Sequence, residues 1–364
     1  IIYIFCVSMS LLDVNLKKEL KEKEKDLTID IIKEESTKDI STKYKISSDN
    51  NNISSNLDLP LFSTSNDNID YNVPQSILNL SKNQFIEAFK SNVSTKQLQK
   101  NLVGISKENI DKIINELTGI FSTIIKDKNG NYFCSNLIRI CSQEQRLKIL
   151  KELSSTINQD CNDEYGTHPI QNLIKFASSE EEFKLILSSF NDFNNIILAS
   201  MNQYGTYVIQ KIFEHIPESL RTDFNSIFVK FSCFLSRDIY GVSTIKKFIA
   251  NTKNECIVNT FINLIISNFM NISDNKYGNY LIQYLLEKWW NKKEGQLFKY
   301  YIISKFNILM EHTYSSYVCN FYLKLCSNKE KALLIQSLNN YNNKKKNALL
   351  NKNKNNENID YDNH

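Results

Sequence analysis

Seven times along this 364-residue chain three side chains recur at one offset, the second directly after the first and the third three places further on. They are Thr95/Lys96/Gln99, Asn131/Tyr132/Ser135, Thr167/His168/Gln171, Thr206/Tyr207/Gln210, Val242/Ser243/Lys246, Asn279/Tyr280/Gln283 and Ser316/Tyr317/Asn320. The middle member is a planar ring in five of the seven. The first and third lie four residues apart, so on a helix they share one side with the ring between them. A ring held that way stacks on another flat ring. Asn and Gln add a donor and an acceptor on one plane, and Thr or Ser a hydroxyl that does both. The pattern suits recognition of a flat heterocycle by its face and polar edge, not bond making.

Each triplet follows a small anchor residue in a stretch such as NQYGTYVIQKIFE or DNKYGNYLIQYLL. The anchors Gly130, Gly166, Gly205, Gly241 and Gly278 stand 36, 39, 36 and 37 residues apart, and Ser94 and Ser315 continue the series. Self-similarity at such a period marks a repeat architecture whose units bury each other's apolar faces. Three residues before the anchors stand Ser91, Asp127, Asp163, Asn202, Asp238, Asn275 and His312. All but His312 are good N-caps, whose side-chain oxygen accepts an orphan amide, so a helix is predicted to start there in each unit. The anchor then lies in the first turn, where a missing side chain allows close packing rather than a positive φ. Four and eight places after the anchors run Leu98, Cys134, Ile170, Ile209, Ile245, Ile282 and Cys319, then Leu102, Ile138, Ile174, Phe213, Ile249, Leu286 and Leu323. That spacing makes one apolar stripe per helix, with the triplets turned away from it. The rest of each period has helical periodicity and room for two further short helices, so the predicted fold is all-α.

The ends differ from this middle. Residues 1–75 carry 9 Lys and no Arg against 13 acidic residues, a net of −4, whereas the remainder has 35 basic and 27 acidic, a net of +8. The first segment is Lys/Glu-rich and then Ser/Asn/Asp-rich, with too few large apolar side chains to offset the entropy of ordering. The reading is a disordered segment over 1–75, a repeat array over 76–341 and a disordered Asn/Lys-rich tail over 342–364. The opening IIYIFCVSMSLL is apolar but too short for a membrane span, and a fragment boundary or a start at Met9 accounts for it better than a signal peptide. The mild basicity of the array permits a polyanion partner. Eight Cys and four His include no CxxC pair, so no metal site is expected and the thiols are read as buried in a reducing compartment. Nor is there a Gly-rich phosphate loop, an HExxH or a GxSxG, and no catalytic residue is assigned.

The period, the YGNYLIQ and YGTHPIQ signatures and the triplets resemble the Pumilio-homology (PUF) family of RNA-binding proteins over roughly residues 82 to 341. The resemblance implies a right-handed superhelical solenoid of about seven three-helix repeats. It also implies one base of single-stranded RNA per repeat on the concave face, and that rule comes with the family rather than from the spacing. Bases would stack between successive rings while the first and third triplet members meet their edges. By the family pattern Asn279 with Gln283 selects uracil, and Thr95/Gln99, Thr167/Gln171 and Thr206/Gln210 lean toward adenine. Asn131 with Ser135, Val242 with Lys246 and Ser316 with Asn320 depart from it, and no eighth anchor is found near residue 352. Lys96 and Lys246 are also read as phosphate contacts. The family further implies a monomeric, cytoplasmic or nuclear regulator that recognises messenger RNA 3′ untranslated regions and recruits repressor or deadenylation partners, with no cofactor and no membrane. The alternative is a degenerate scaffold of the same repeats that serves protein interaction or non-selective, for example ribosomal, RNA binding.

Overall fold

In the computed structural model of the chain, residues 77–360 are described, with side chains through residue 348. The segment 1–75 therefore lies outside the described residues. Among these residues there are helices and no strands, ordered as the period predicts: a short first helix, an inner helix carrying the triplet and an outer helix. Unit one is α1 (Lys82–Phe89), α2 (Asn92–Asn101) and α3 (Lys107–Leu117), and unit two is α4 (Phe121–Ile125), α5 (Gly130–Ile140) and α6 (Gln143–Leu153). Unit three is α7 (Ile157–Asp160), α8 (Thr167–Phe176) and α9 (Glu180–Ser188); unit four is α10 (Phe193–Met201), α11 (Gly205–His215) and α12 (Thr222–Lys230). Unit five is α13 (Ser232–Leu235), α14 (Ile239–Ala250) and α15 (Glu255–Ser267). Unit six has α16 (Phe269–Ser273), α17 (Gly278–Lys288) and α18 (Lys293–Leu309), a single helix whose last turn also stands where unit seven's first helix belongs. Unit seven continues with α19 (Thr313–Leu325) and α20 (Asn328–Asp360).

The inner helices α2, α5, α8, α11, α14, α17 and α19 pack each on the next, with the outer helices behind them. The first stripe is buried in every unit, and the second in all but unit seven, where Leu323 is half-buried. Phenylalanines fill the joint between units four and five: the Phe213 ring lies 4.9 Å from Phe228 and 5.2 Å from Phe248. Such ring pairs add to the stabilisation from burial alone. Cys134, Cys141, Cys161, Cys319 and Cys326 are buried too, and burial pushes the Cys161 and Cys319 thiols up to about 12.

Two buried guanidiniums lock the outer layer. Arg146 Nε donates to Glu182 Oε1 at 2.8 Å, and Arg146 Nη1 donates to the Cys141 carbonyl at 2.8 Å, joining units two and three. Burial pushes the Glu182 carboxyl up, but Arg146 and the hydrogen bonds from Ser178 and Ser179 outweigh it and hold the group below the usual carboxylate range. Arg221 donates to the Ile216 and Asn251 carbonyls and to Asn225 Oδ1, bridging units four and five.

From residue 342 the structure differs from the tail without fixed structure expected there. The backbone of α20 stays helical to Asp360. Its start is anchored by buried Leu334, and Lys345 pairs with Glu311, just ahead of α19. Once a helix is nucleated against a packed surface, each further residue adds a hydrogen bond, which carries even a polar sequence onward.

Candidate nucleic-acid interface

The local chemistry that starts each inner helix is the predicted one in six units. The Asp163 side chain accepts from the amides of Tyr165 and Gly166, both at 2.9 Å, and Asp238 does the same for Tyr240 and Gly241 at 2.9 and 2.8 Å. Asp127, Asn202 and Asn275 repeat the arrangement, and Ser91 accepts from Ser94. His312 makes no such bond. In its place Asp274, from unit six, accepts from the Tyr314 amide at 3.2 Å.

The anchor glycines have ordinary negative φ, since among the described residues only Gly104 and Gly119 are positive. What they provide is space. A Cβ on Gly130, Gly166, Gly205, Gly241 or Gly278 would lie closer than 3.0 Å to the carbonyl oxygen of the residue six places earlier, in the unit's own short helix. The close packing is thus within the unit at all five, and at Gly205 and Gly166 also with the preceding unit, through Asn162 and Lys126. Ser315 solves the same problem differently: its hydroxyl donates to the corresponding Leu309 carbonyl at 2.7 Å.

This start sets the register of the triplets. Tyr132, Tyr207, Tyr280 and Tyr317 are 47, 36, 57 and 49% exposed, so the rings face solvent at one position of four inner helices, in units two, four, six and seven, rather than entering the core. His168 is half-buried, and burial holds its imidazole below the usual range despite Glu164, so a neutral flat ring stands there at neutral pH. Lys96 and Ser243 occupy the same position in units one and five and are exposed.

The first triplet member behaves otherwise than predicted. Thr95, Asn131, Thr167, Thr206, Val242 and Asn279 are buried, and only Ser316, in the last described unit, is half-exposed. In a stack that position meets the neighbouring unit, so its polar atoms bond within the protein. Thr167 and Thr206 donate to the carbonyls of Tyr204 and Tyr240, in the next unit, at 3.1 and 3.4 Å. The Asn279 side chain donates to the Asn275 and Lys276 carbonyls, both at 2.9 Å.

That leaves the third member facing outward, and the first member fixes it. Gln171 Nε2 donates to Thr167 Oγ1 at 3.0 Å, Gln210 Nε2 to Thr206 Oγ1 at 3.1 Å, and Gln283 Nε2 to Asn279 Oδ1 at 3.0 Å. Each glutamine keeps its carbonyl and one N–H free, side by side beside a ring. In unit one Gln99 instead accepts from Asn136 at 2.8 Å. In unit two Asn131 donates to the Asp127 and Lys128 carbonyls, and the buried Ser135 hydroxyl has no partner. Asn320 is exposed and Lys246 half-buried. The Asn136 contact and the pinning of the glutamines were missed in the sequence, although the four-residue spacing of the pairs is the signal for the second.

The Pumilio-family RNA binding repeat matches residues 121–154, 195–223 and 268–289, that is, the core of units two, four and six. Three of the seven units thus match the Pumilio-family repeat. Among solved structures, the Puf4 RNA-binding domain bound to an HO endonuclease RNA 3′ UTR recognition sequence is similar at 20% identity, over 65% of this chain and 74% of that one, with a TM-score of 0.61. The RNA-binding domain of yeast Puf5p bound to MFA2 RNA matches at 20% identity over 68% of each chain, with a TM-score of 0.60. PUF-8 in complex with PBE-RNA matches at 18% identity over 67% and 72%, with a TM-score of 0.58. At such identities the likeness is one of fold. No curated protein matches the sequence.

Proposed function

We propose that the Pumilio array, residues 76–341, binds single-stranded RNA with sequence selectivity, one base to a repeat. The observation that carries the reading is the repeated pairing of an outward ring with a fixed amide in units three, four and six. Stacking on aromatic side chains contributes about 1–3 kcal/mol per base whatever the sequence. Selectivity then rests on the amide, whose carbonyl and N–H complement the edge of adenine or of uracil. Uracil is assigned to unit six and adenine to units one, three and four. The RNA-bound relatives with the same fold support this direction.

The target class is messenger RNA recognised in its 3′ untranslated region, with lowered translation or stability as the outcome, in the cytoplasm. Among the described residues no helix is long and apolar enough to cross a membrane. Selection of RNA from a random pool tests the reading. Asn279→Ser with Gln283→Glu should replace uracil by guanine at one position of the selected consensus and leave the others alone. An unmoved consensus would defeat the assignment, and binding without any consensus would favour the scaffold alternative.

A further inference from the structure

Unit five interrupts the series of rings and amides, and what replaces them is chemically particular. Val242 is buried and offers no polar atom to hold an amide. Ser243, where a ring stands elsewhere, turns its hydroxyl back to the Ile239 carbonyl at 3.3 Å. Lys246 occupies the place that Gln210 and Gln283 hold in the units on either side.

This lysine is unlike the exposed Lys96. It is half-buried, with Nζ 5.4 Å from the centroid of the Tyr284 ring in unit six, within the reach of a cation–π contact. Tyr284 Oη in turn donates to the Lys246 carbonyl at 3.4 Å, tying α14 to α17. Burial pulls the Lys246 ammonium below its usual range, and no carboxylate offsets that burial. A partly desolvated cation without an anionic partner, held in the register of the edge readers, has hydrogen bonds left to give.

An amide presents a donor and an acceptor, whereas an ammonium presents donors only. The edge that satisfies it needs adjacent acceptors with no N–H between them. On the pairing edge uracil has N3–H between its two carbonyls, guanine has N1–H and an amino group, and adenine has a single acceptor beside its amino group. Cytosine places two acceptors, O2 and N3, side by side. Guanine offers O6 and N7 together only on its other edge, which requires the base to turn relative to its neighbours.

We propose that unit five selects cytosine, with Lys246 donating to O2 and N3 from its seat over Tyr284. The proposal rests on the RNA reading above and adds the identity of one base.

The test is selection from a random single-stranded RNA pool with the full chain, followed by affinities for defined RNAs that differ at this position. Cytosine is expected there, with uracil in its place binding roughly tenfold more weakly. Val242→Asn with Lys246→Gln recreates the pair of unit six and should move the preference to uracil by a similar factor. Lys246→Gln alone, which leaves the buried Val242 in place, should abolish the preference for cytosine. Guanine, or equal binding of all four bases, beside an intact uracil at unit six overturns the proposal and leaves the RNA reading standing. Absence of any selected sequence overturns both.

Discussion

Units four and five share a scaffold and differ in what they present. Both inner helices start on a side-chain cap, Asn202 in one and Asp238 in the other. Both anchor glycines lie against a carbonyl six residues back, and both bury the same stripe, Ile209 with Phe213 and Ile245 with Ile249. Yet unit four exposes Tyr207 beside a pinned Gln210, while unit five exposes Ser243 beside Lys246. The contacts that build a repeat lie on the far side of the helix from the face it presents. Presented residues therefore change without loss of the repeat, and the two sets of positions answer to different measurements.

Scaffold changes should be felt in stability. Arg146→Ala leaves the Glu182 carboxylate buried without its partner, and a loss of about 3–5 kcal/mol in chemical denaturation is expected. Gly241→Ala and Gly278→Ala force a Cβ against the short-helix carbonyl and should each destabilise by about 1–3 kcal/mol, equally in the unit with a ring and the unit without. A neutral result at either would separate the two scaffolds after all.

Reader changes should be felt in binding alone. Tyr280→Ala should weaken RNA affinity by about 1–3 kcal/mol with an unchanged melting temperature, because the ring is exposed. Ser243→Tyr, which supplies unit five with the missing ring, should strengthen it by up to about the same amount. A shifted melting temperature in either variant would mean that the presented face also carries packing.

The smallest effect is in the pH profile. Glu182 is held below its ordinary value in the folded chain, so its contribution to stability is present above the unfolded pKa and lost as pH falls through the folded one. Glu182→Gln should lower stability at neutral pH and flatten its decline on acidification below about pH 4.5. A decline as steep as that of the unchanged protein would point to other carboxylates.

Legibility in the sequence followed the range of the interactions. The caps at Asp163 and Asp238, the glycine positions, the two stripes and the outward tyrosines all follow from helical spacing within one unit, and the sequence is sufficient for them. The burial of Thr206 involves the following unit, where it meets Tyr240 and Thr244, and Arg146 meets Glu182 across 36 residues of chain. Spacing inside a helix says nothing about either. The carbonyl behind each glycine was hidden for another reason: the glycine showed that something comes close, but not that it is the unit's own first helix. The continuation of α20 beyond residue 342 was missed because composition weighs residues singly, whereas helix growth is cooperative.

Asp274 gives unit six a hold on the start of the next inner helix, since it accepts from the Tyr314 amide and also lies 3.2 Å from His312 Nδ1. Every earlier inner helix closes its own first turn, but the last one borrows the group that does so. In the nearest-neighbour description of repeat arrays, part of the stability assigned to unit seven belongs here to the coupling between two repeats. Unit six keeps its own first turn, closed by Asn275, whether or not that coupling is made.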